Sequence, residues 1–314
     1  MSKAKKTRAG KVSFQEEFYS DISLKNMLYA KVVRCSERGR ITSLVPPDFP
    51  EGFYFFTARD IPGQHFIGNT LGRVPIFCEG ESLYPGEQVG VLVGDDEDKL
   101  DEIASLFKIQ CDKETIETDF RKNNTSDAAS DAWEIFSSIL AQRTVESGPC
   151  FRQEGGFEKI FEEASYTVEH TWSFKLNERD SRECDGAICD YDGKILTVYT
   201  PTQWLSNLRQ TLSDALGMKA EDIVVKKTKS YNHGSTSIWY NSIIACQVAV
   251  ASYKLKRPVK LVYSRLEQET FINSMLPVEI HHKTAVDARG RILAMRVDIS
   301  LDAGAHNPNL CQPS

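Results

Sequence analysis

The sequence predicts an α+β protein with mixed sheets, on three observations. Apolar residues alternate in some stretches and recur at helical spacing in others, so strands and helices interleave along the chain. Some strand patterns are joined by tight turns and others by helices, which places hairpins beside crossovers. The 314 residues, 41% hydrophobic and 26% charged, suffice for two domains with cores of their own.

The expected organisation is a first domain over 14–112, a linker with one helix over 113–156, and a second domain over 157–314. In the first, Asn26 to Val33 and Gly52 to Thr57 read as strands, the latter after the turn at Pro46, Pro47 and Pro50. Gln88 to Val93 alternates, with Val89, Val91 and Val93 on one face. Asp95, Asp96 and Glu97 then open a helix whose inner face is Leu100, Ile103, Ala104 and Phe107, and acids in a first turn suit the helix dipole. Those acids would repel a phosphate, and no G-x-G-x-x-G precedes them, so nucleotide binding is not expected. The polar stretch Lys113 to Ser130 reads as a linker, followed by a helix over Asp131 to Arg143 with Trp133, Phe136, Ile139 and Leu140 on one stripe.

In the second domain, Phe157 to Ala164 reads as a helix and Tyr166 to Phe174 as a strand. Ala187 to Asp190 and Lys194 to Thr200 form a hairpin through Asp192–Gly193. Leu205, Leu208, Leu212 and Leu216 mark a helix ending at Gly217. A strand at Ile223 to Lys227, an Ala-rich helix at Ser242 to Leu255 closed by Arg257–Pro258, and a strand at Val259 to Ser264 follow. A last hairpin pairs Glu279–Val286 with Arg291–Leu301, with Leu293, Met295, Val297, Ile299 and Leu301 on one face.

The formal charge of −6 argues against a nucleic-acid binder. Lys3, Lys5, Lys6, Arg8 and Lys11 make a basic start with no apolar run behind it, which is a tail rather than a secretory signal. No stretch approaches the roughly eighteen apolar residues of a membrane span, so no membrane association and a cytoplasmic location are expected. The eight cysteines are too dispersed for a disulfide framework or an iron–sulfur cluster, and are expected to be reduced. His281 and His282 are adjacent in a strand and point to opposite faces, so they cannot share one metal ion. No G-x-S-x-G elbow surrounds Ser213–Asp214 or any other serine. Spacing alone therefore yields no catalytic constellation.

Several motifs, in order and over nearly the whole chain, do carry a family resemblance. The first group is Phe18–Tyr19–Ser20–Asp21–Ile22, the strand from Tyr29 to Ser36, Thr57–Ala58–Arg59–Asp60–Ile61–Pro62, and Gly86 to Val93. The second is Asp185–Gly186–Ala187 through Thr200–Pro201–Thr202–Gln203, Leu216–Gly217 before Ile223–Val224–Val225, Arg257 to Glu267, and Asp302–Ala303–Gly304–Ala305. Together they resemble the molybdopterin-binding subunit of the molybdenum hydroxylases, the xanthine dehydrogenase and aldehyde oxidase family. They match its N-terminal half: an a/b hammerhead domain and the first part of the cofactor-binding domain.

The resemblance implies a molybdenum–molybdopterin cofactor shared with a complementary C-terminal half, and an oxidation of an N-heterocycle (xanthine-like) or aldehyde with oxygen derived from water. Gln203 matches a family glutamine beside the metal, whose neutral amide can donate to an oxo ligand; a plain role at a helix start is its other reading. The family's catalytic glutamate lies beyond the matched residues, so the chain alone is expected to be inactive. FAD and iron–sulfur clusters are expected on partner subunits only. The family's Gly-rich cofactor loop is replaced by Lys229 to Ser237, which keeps Gly234; His233, Ser235 and Ser237 either bond a pterin or substrate or form an ordinary polar loop. Arg179 and Cys184 replace a His and a Pro of the family, and His306 its Tyr, which implies a reshaped pocket. A non-catalytic scaffold or assembly relative is the alternative function.

Overall fold

The computed structural model describes residues 18–68, 73–115, 157–174, 183–228, 236–272, 277–302 and 305. The expected helix at 131–143 and the loop carrying His233, Gly234 and Ser235 lie outside them. In chain order the first part holds β1 (Leu28–Arg34), β2 (Gly39–Val45), β3 (Tyr54–Thr57), β4 (Phe66–Gly68), β5 (Arg73–Pro75), β6 (Glu81–Ser82), β7 (Gln88–Gly94), α1 (Glu97–Ser105) and β8 (Lys108–Lys113). Next come α2 (Phe157–Glu163), β9 (Tyr166–Phe174), β10 (Gly186–Tyr191), β11 (Leu196–Thr200), α3 (Leu205–Leu216) and β12 (Ile223–Lys227). The chain continues through α4 (Thr236–Leu255), β13 (Val259–Val262), α5 (Arg265–Phe271), β14 (Val278–Val286) and β15 (Ile292–Leu301).

A mixed seven-stranded sheet, ordered β12-β11-β10-β13-β1-β7-β3, forms the centre. At its middle β1 pairs in parallel with β13, Ala30 opposite Leu261, so both expected segments supply strands to one sheet. Each face is covered, which is why β7 is buried along its whole length. On one face Leu28, Ala30 and Val32 of β1 join Val259, Leu261, Leu196 and Val198 under α3 and α4. From Asn241 to Ser252 every residue of α4 is buried, so the helix is packed inside the molecule on all sides there. It is nevertheless not a membrane span: no described helix is long and apolar enough to cross one. On the other face Val33, Leu92 and Phe53 meet Leu100 and Ile103 of α1.

The local signals in the sequence explain most element ends. Asp96 caps α1 by accepting from the Lys99 amide at 3.3 Å. Gly217 takes a left-handed φ of 63° and stops α3. The Asp192 carboxylate accepts from the amides of Lys194 and Ile195, both at 2.8 Å, while Gly193 supplies φ of 100°. Those two amides are spent on the turn, so β11 starts at Leu196 rather than at Lys194. One face assignment is corrected. Between β1 and β7 the pairing passes from Val33–Gly90 to Arg34–Gln88, leaving Val89 as a bulge. Val89 therefore packs with Leu92 toward α1, not with Val91 and Val93. The sequence reading also omitted β2 and β8, whose mixed burial gives no clean alternation.

A separate three-stranded sheet, β15-β14-β9, is antiparallel throughout. Ala285 and Ala294 on one face pack under Phe161 of α2. The opposite face carries Tyr166, Val168, Trp172, Phe174, Met295, Val297 and Ile299, all exposed, with Val168 61% and Ile299 64% accessible. His281 and His282 do point to opposite faces: His281 meets Glu169 at 3.0 Å, and His282 lies against Trp172 at 5.7 Å between ring centres.

Candidate functional site

In the seven-stranded sheet, β11, β12, β13 and β1, together with the edge strand β3, run in one direction and β10 and β7 in the other. The carboxyl ends of the first four and the entries to the other two thus share one rim. Helix α3 connects β11 to its parallel neighbour β12, so its N-terminus opens on that rim; α4, leading from β12 to the parallel β13, does likewise. Ligands of open α/β sheets bind at such rims, where loops leave the strands and helix N-termini gather.

β11 ends at Thr200, and Pro201 and Thr202 are buried before the chain turns into α3. The Thr202 hydroxyl accepts from the Trp204 amide at 3.2 Å and fixes that turn. Gln203, the residue singled out in the sequence, stands exposed at this corner, beside an exposed Trp204. Parallel to it, β12 ends at Lys227, and the amide of the next residue, Thr228, donates to the Thr200 carbonyl at 3.0 Å. The Oγ1 atoms of Thr200 and Thr228 are both buried and lack a hydrogen-bond partner among the described residues. Burying a hydroxyl unpaired costs about 1–3 kcal/mol, so a polar ligand atom at each would be favoured. His233, Gly234 and Ser235 fall outside the described residues, in the segment between Thr228 and α4; of the four candidates, only Gln203 can be placed.

Further along the rim a buried polar network ties the two parts of the chain together. Asp185 is held by Gln268, which donates to its carboxylate at 2.9 Å and accepts from its amide at 2.7 Å. Gly186 follows because a Cβ there would sit 2.3 Å from the Leu261 carbonyl oxygen. Gln247 donates to both the Gln88 side chain and the Ile76 carbonyl at 2.8 Å. The Arg34 guanidinium donates to the Gly86 carbonyl at 2.9 Å and lies over the rings of Phe271 and Tyr263, 4.1 and 5.1 Å from their centres. Burial raises the phenol of Tyr263 and of Tyr240, so both stay protonated hydrogen-bond donors at neutral pH. Before β10, burial pushes the Glu183 carboxyl up to about 7 against the opposing hydrogen bonds from the Ser20 amide and hydroxyl. Sequence reasoning missed this network, since Gln88, Gln247 and Gln268 have no shared spacing. The only available signal was that Arg34, Gln88 and Asp185 fall inside the resembling motifs.

A shallow cavity on the three-stranded sheet is a different kind of place. Its Glu169, His281, Lys283, Arg296 and Asp298 pair with one another at 3.0 to 3.5 Å on the surface, where such pairs contribute little.

Comparison with known proteins places the chain in a family. A family profile described as a molybdopterin cofactor-binding domain matches residues 141–312, more than half of the chain. The large molybdopterin subunit of nicotinate dehydrogenase from Eubacterium barkeri is 26% identical over 97% of this chain and 70% of its own length. A probable xanthine dehydrogenase component of Bacillus subtilis is 27% identical over 95% of this chain, but the match spans only 39% of that protein. In three dimensions, CO dehydrogenase from Oligotropha carboxidovorans superposes with a TM-score of 0.72 at 18% identity, over 90% of this chain and 37% of that one. The chain thus belongs to the molybdopterin cofactor-binding domain family and is homologous to the large subunits of molybdenum hydroxylases.

Proposed function

We propose that this chain forms one wall of a molybdenum hydroxylase active site, in an enzyme that oxidises an N-heterocycle or aldehyde with oxygen derived from water. The observation that carries the reading is the pair of buried hydroxyls at Thr200 and Thr228, without a hydrogen-bond partner among the described residues, at the ends of the strands that lead to Gln203 and to the 229–235 segment. A pterin fits this donor set because its ring nitrogens and oxygens can both donate and accept, and hydroxyls do the same. Gln203 would hold the cofactor's metal end with a neutral amide, and His233, Gly234 and Ser235 would extend the cradle. Bound molybdopterin would supply the two-electron chemistry; this chain's residues would bind and orient it. N-heterocycles are favoured as substrates by the names of the two relatives, nicotinate and xanthine dehydrogenase.

The exposed apolar face of the three-stranded sheet supports a larger assembly. Seven large apolar side chains facing solvent form an extended hydrophobic patch, which marks an interaction surface. Further molybdopterin-domain polypeptide would cover it, from a second chain or a continuation of this one, and would bring the catalytic carboxylate. Iron–sulfur and flavin subunits would then accept the electrons.

The test is metal and pterin analysis of the protein purified natively with whatever it binds. Molybdenum and a pterin in near-stoichiometric amounts are expected, with a several-fold loss of molybdenum in Gln203→Ala. An intact native complex free of both would overturn the reading.

A further inference from the structure

Outside the rim, three cysteines come together where the first part of the chain folds on itself. Cys35 immediately follows β1 and is almost wholly buried, with 1% exposed. Its backbone is locked there: the Cys35 amide donates to the Glu87 carbonyl at 2.9 Å, and the Gly86 amide donates to the Cys35 carbonyl at 2.6 Å. Cys111 sits on β8, an edge strand of the sheet β6-β2-β8, opposite Ile41. The two sulfurs, 76 positions apart in sequence, are 2.8 Å from each other, and both cysteines are free thiols. That separation exceeds a disulfide bond by only about 0.8 Å. Cys78 is buried in the same cluster.

We propose that Cys35 and Cys111 are an oxidisable dithiol, and that their disulfide clasps the β6-β2-β8 sheet to the central sheet. Cys111 is the entry point, because it is partly exposed on an edge strand while Cys35 is sealed beneath it. The oxidant is a small-molecule disulfide of the glutathione type. Burial pushes the Cys111 thiol up to about 12, so it reacts through its small thiolate fraction, which attacks one sulfur of the oxidant, forming a mixed disulfide and expelling one glutathione thiolate. Cys35 then attacks the Cys111 sulfur, forming the intramolecular bond and expelling the second. The two thiol protons end on the two glutathione molecules; the protein pair loses two electrons and the oxidant gains them. Since Cys35 directly follows β1, which pairs with β13 and β7, the bond would tie the strand leading out of the first part to the strand at the centre of the molecule.

The experiment uses the full-length protein with any partner that copurifies. It is incubated with oxidised glutathione, alkylated and mapped by mass spectrometry. A Cys35–Cys111 crosslinked peptide is expected, with both thiols lost to alkylation and the melting temperature raised by on the order of 5 °C. In Cys35→Ser the resolving thiol is gone, so Cys111 should accumulate as its glutathione adduct; in Cys111→Ser, Cys35 should remain alkylatable only after unfolding. The proposal is overturned if both thiols stay reduced in the wild-type protein while the partly exposed Cys184 takes up glutathione, or if Cys78 replaces either member in the crosslink. The wild-type map decides the matter even if a variant fails to fold.

Discussion

The seven-stranded and three-stranded sheets are built from similar strands, yet one is covered on both faces and the other on one face only. In the first, α3 and α4 lie over one side and α1 over the other, so that even Gln88 and Gln247 are buried and must bond each other. In the second, α2 shields Ala285 and Ala294, and the reverse side shows Trp172, Val168 and Ile299 to solvent. Both sheets thus carry apolar side chains on the face away from their first covering helix. What differs is whether this stretch of polypeptide supplies the cover. The covered sheet is where the rim and its polar network sit; the uncovered one carries the exposed apolar face.

Substitutions can break this contrast, beginning with the deepest site. Leu212 is fully buried between α3 and the sheet. Leu212→Ala should cost about 2–5 kcal/mol by chemical denaturation, and a cost under ~1 would mean the core there is loose. Gly186→Ala forces a Cβ toward the Leu261 carbonyl and the Tyr19 ring, at 2.3 and 2.7 Å. A loss of about 1–3 kcal/mol is expected, and the backbone must shift at the rim. Glu183 tests the rim's electrostatics. Its carboxyl, raised from 4.5 to about 7 by burial, is held better protonated than ionised in the fold. Stability from this group is thus full below about pH 4.5 and is lost as pH rises towards 7. Glu183→Gln should raise the melting temperature at pH 8 relative to wild type, and the gain should vanish near pH 4.5; an equal gain at both values would refute the assignment. On the uncovered sheet the smallest effect is expected. Ile299→Lys, at an exposed position, should change stability by less than about 0.5 kcal/mol yet abolish copurification of any polypeptide docked on that face.

Much of the fold was legible in the chain. The Leu205–Leu216 repeat with Gly217, the Asp192–Gly193 hairpin and the Tyr166–Phe174 strand stand where their local chemistry demands. Signals of this kind act over a few residues, and so they survive any tertiary context. β2 and β8 were missed because their partners, not their own alternation, make them strands. The Val89 bulge was missed because a bulge is a property of two paired strands. At the candidate site, Gln203 was singled out only through its motif, and the Thr200 and Thr228 hydroxyls only once β11 and β12 lay side by side.

By itself the sequence determined most of the longer helices and strands, their order and the family, because periodicity, caps and turn residues are local and motifs are ordered along the chain. Only the tertiary structure decided that β1 and β13 share one sheet, that Asp185 meets Gln268, and that Cys35 touches Cys111. Those contacts join residues about 80 to 230 positions apart, and no local rule fixes which distant partner closes such a loop.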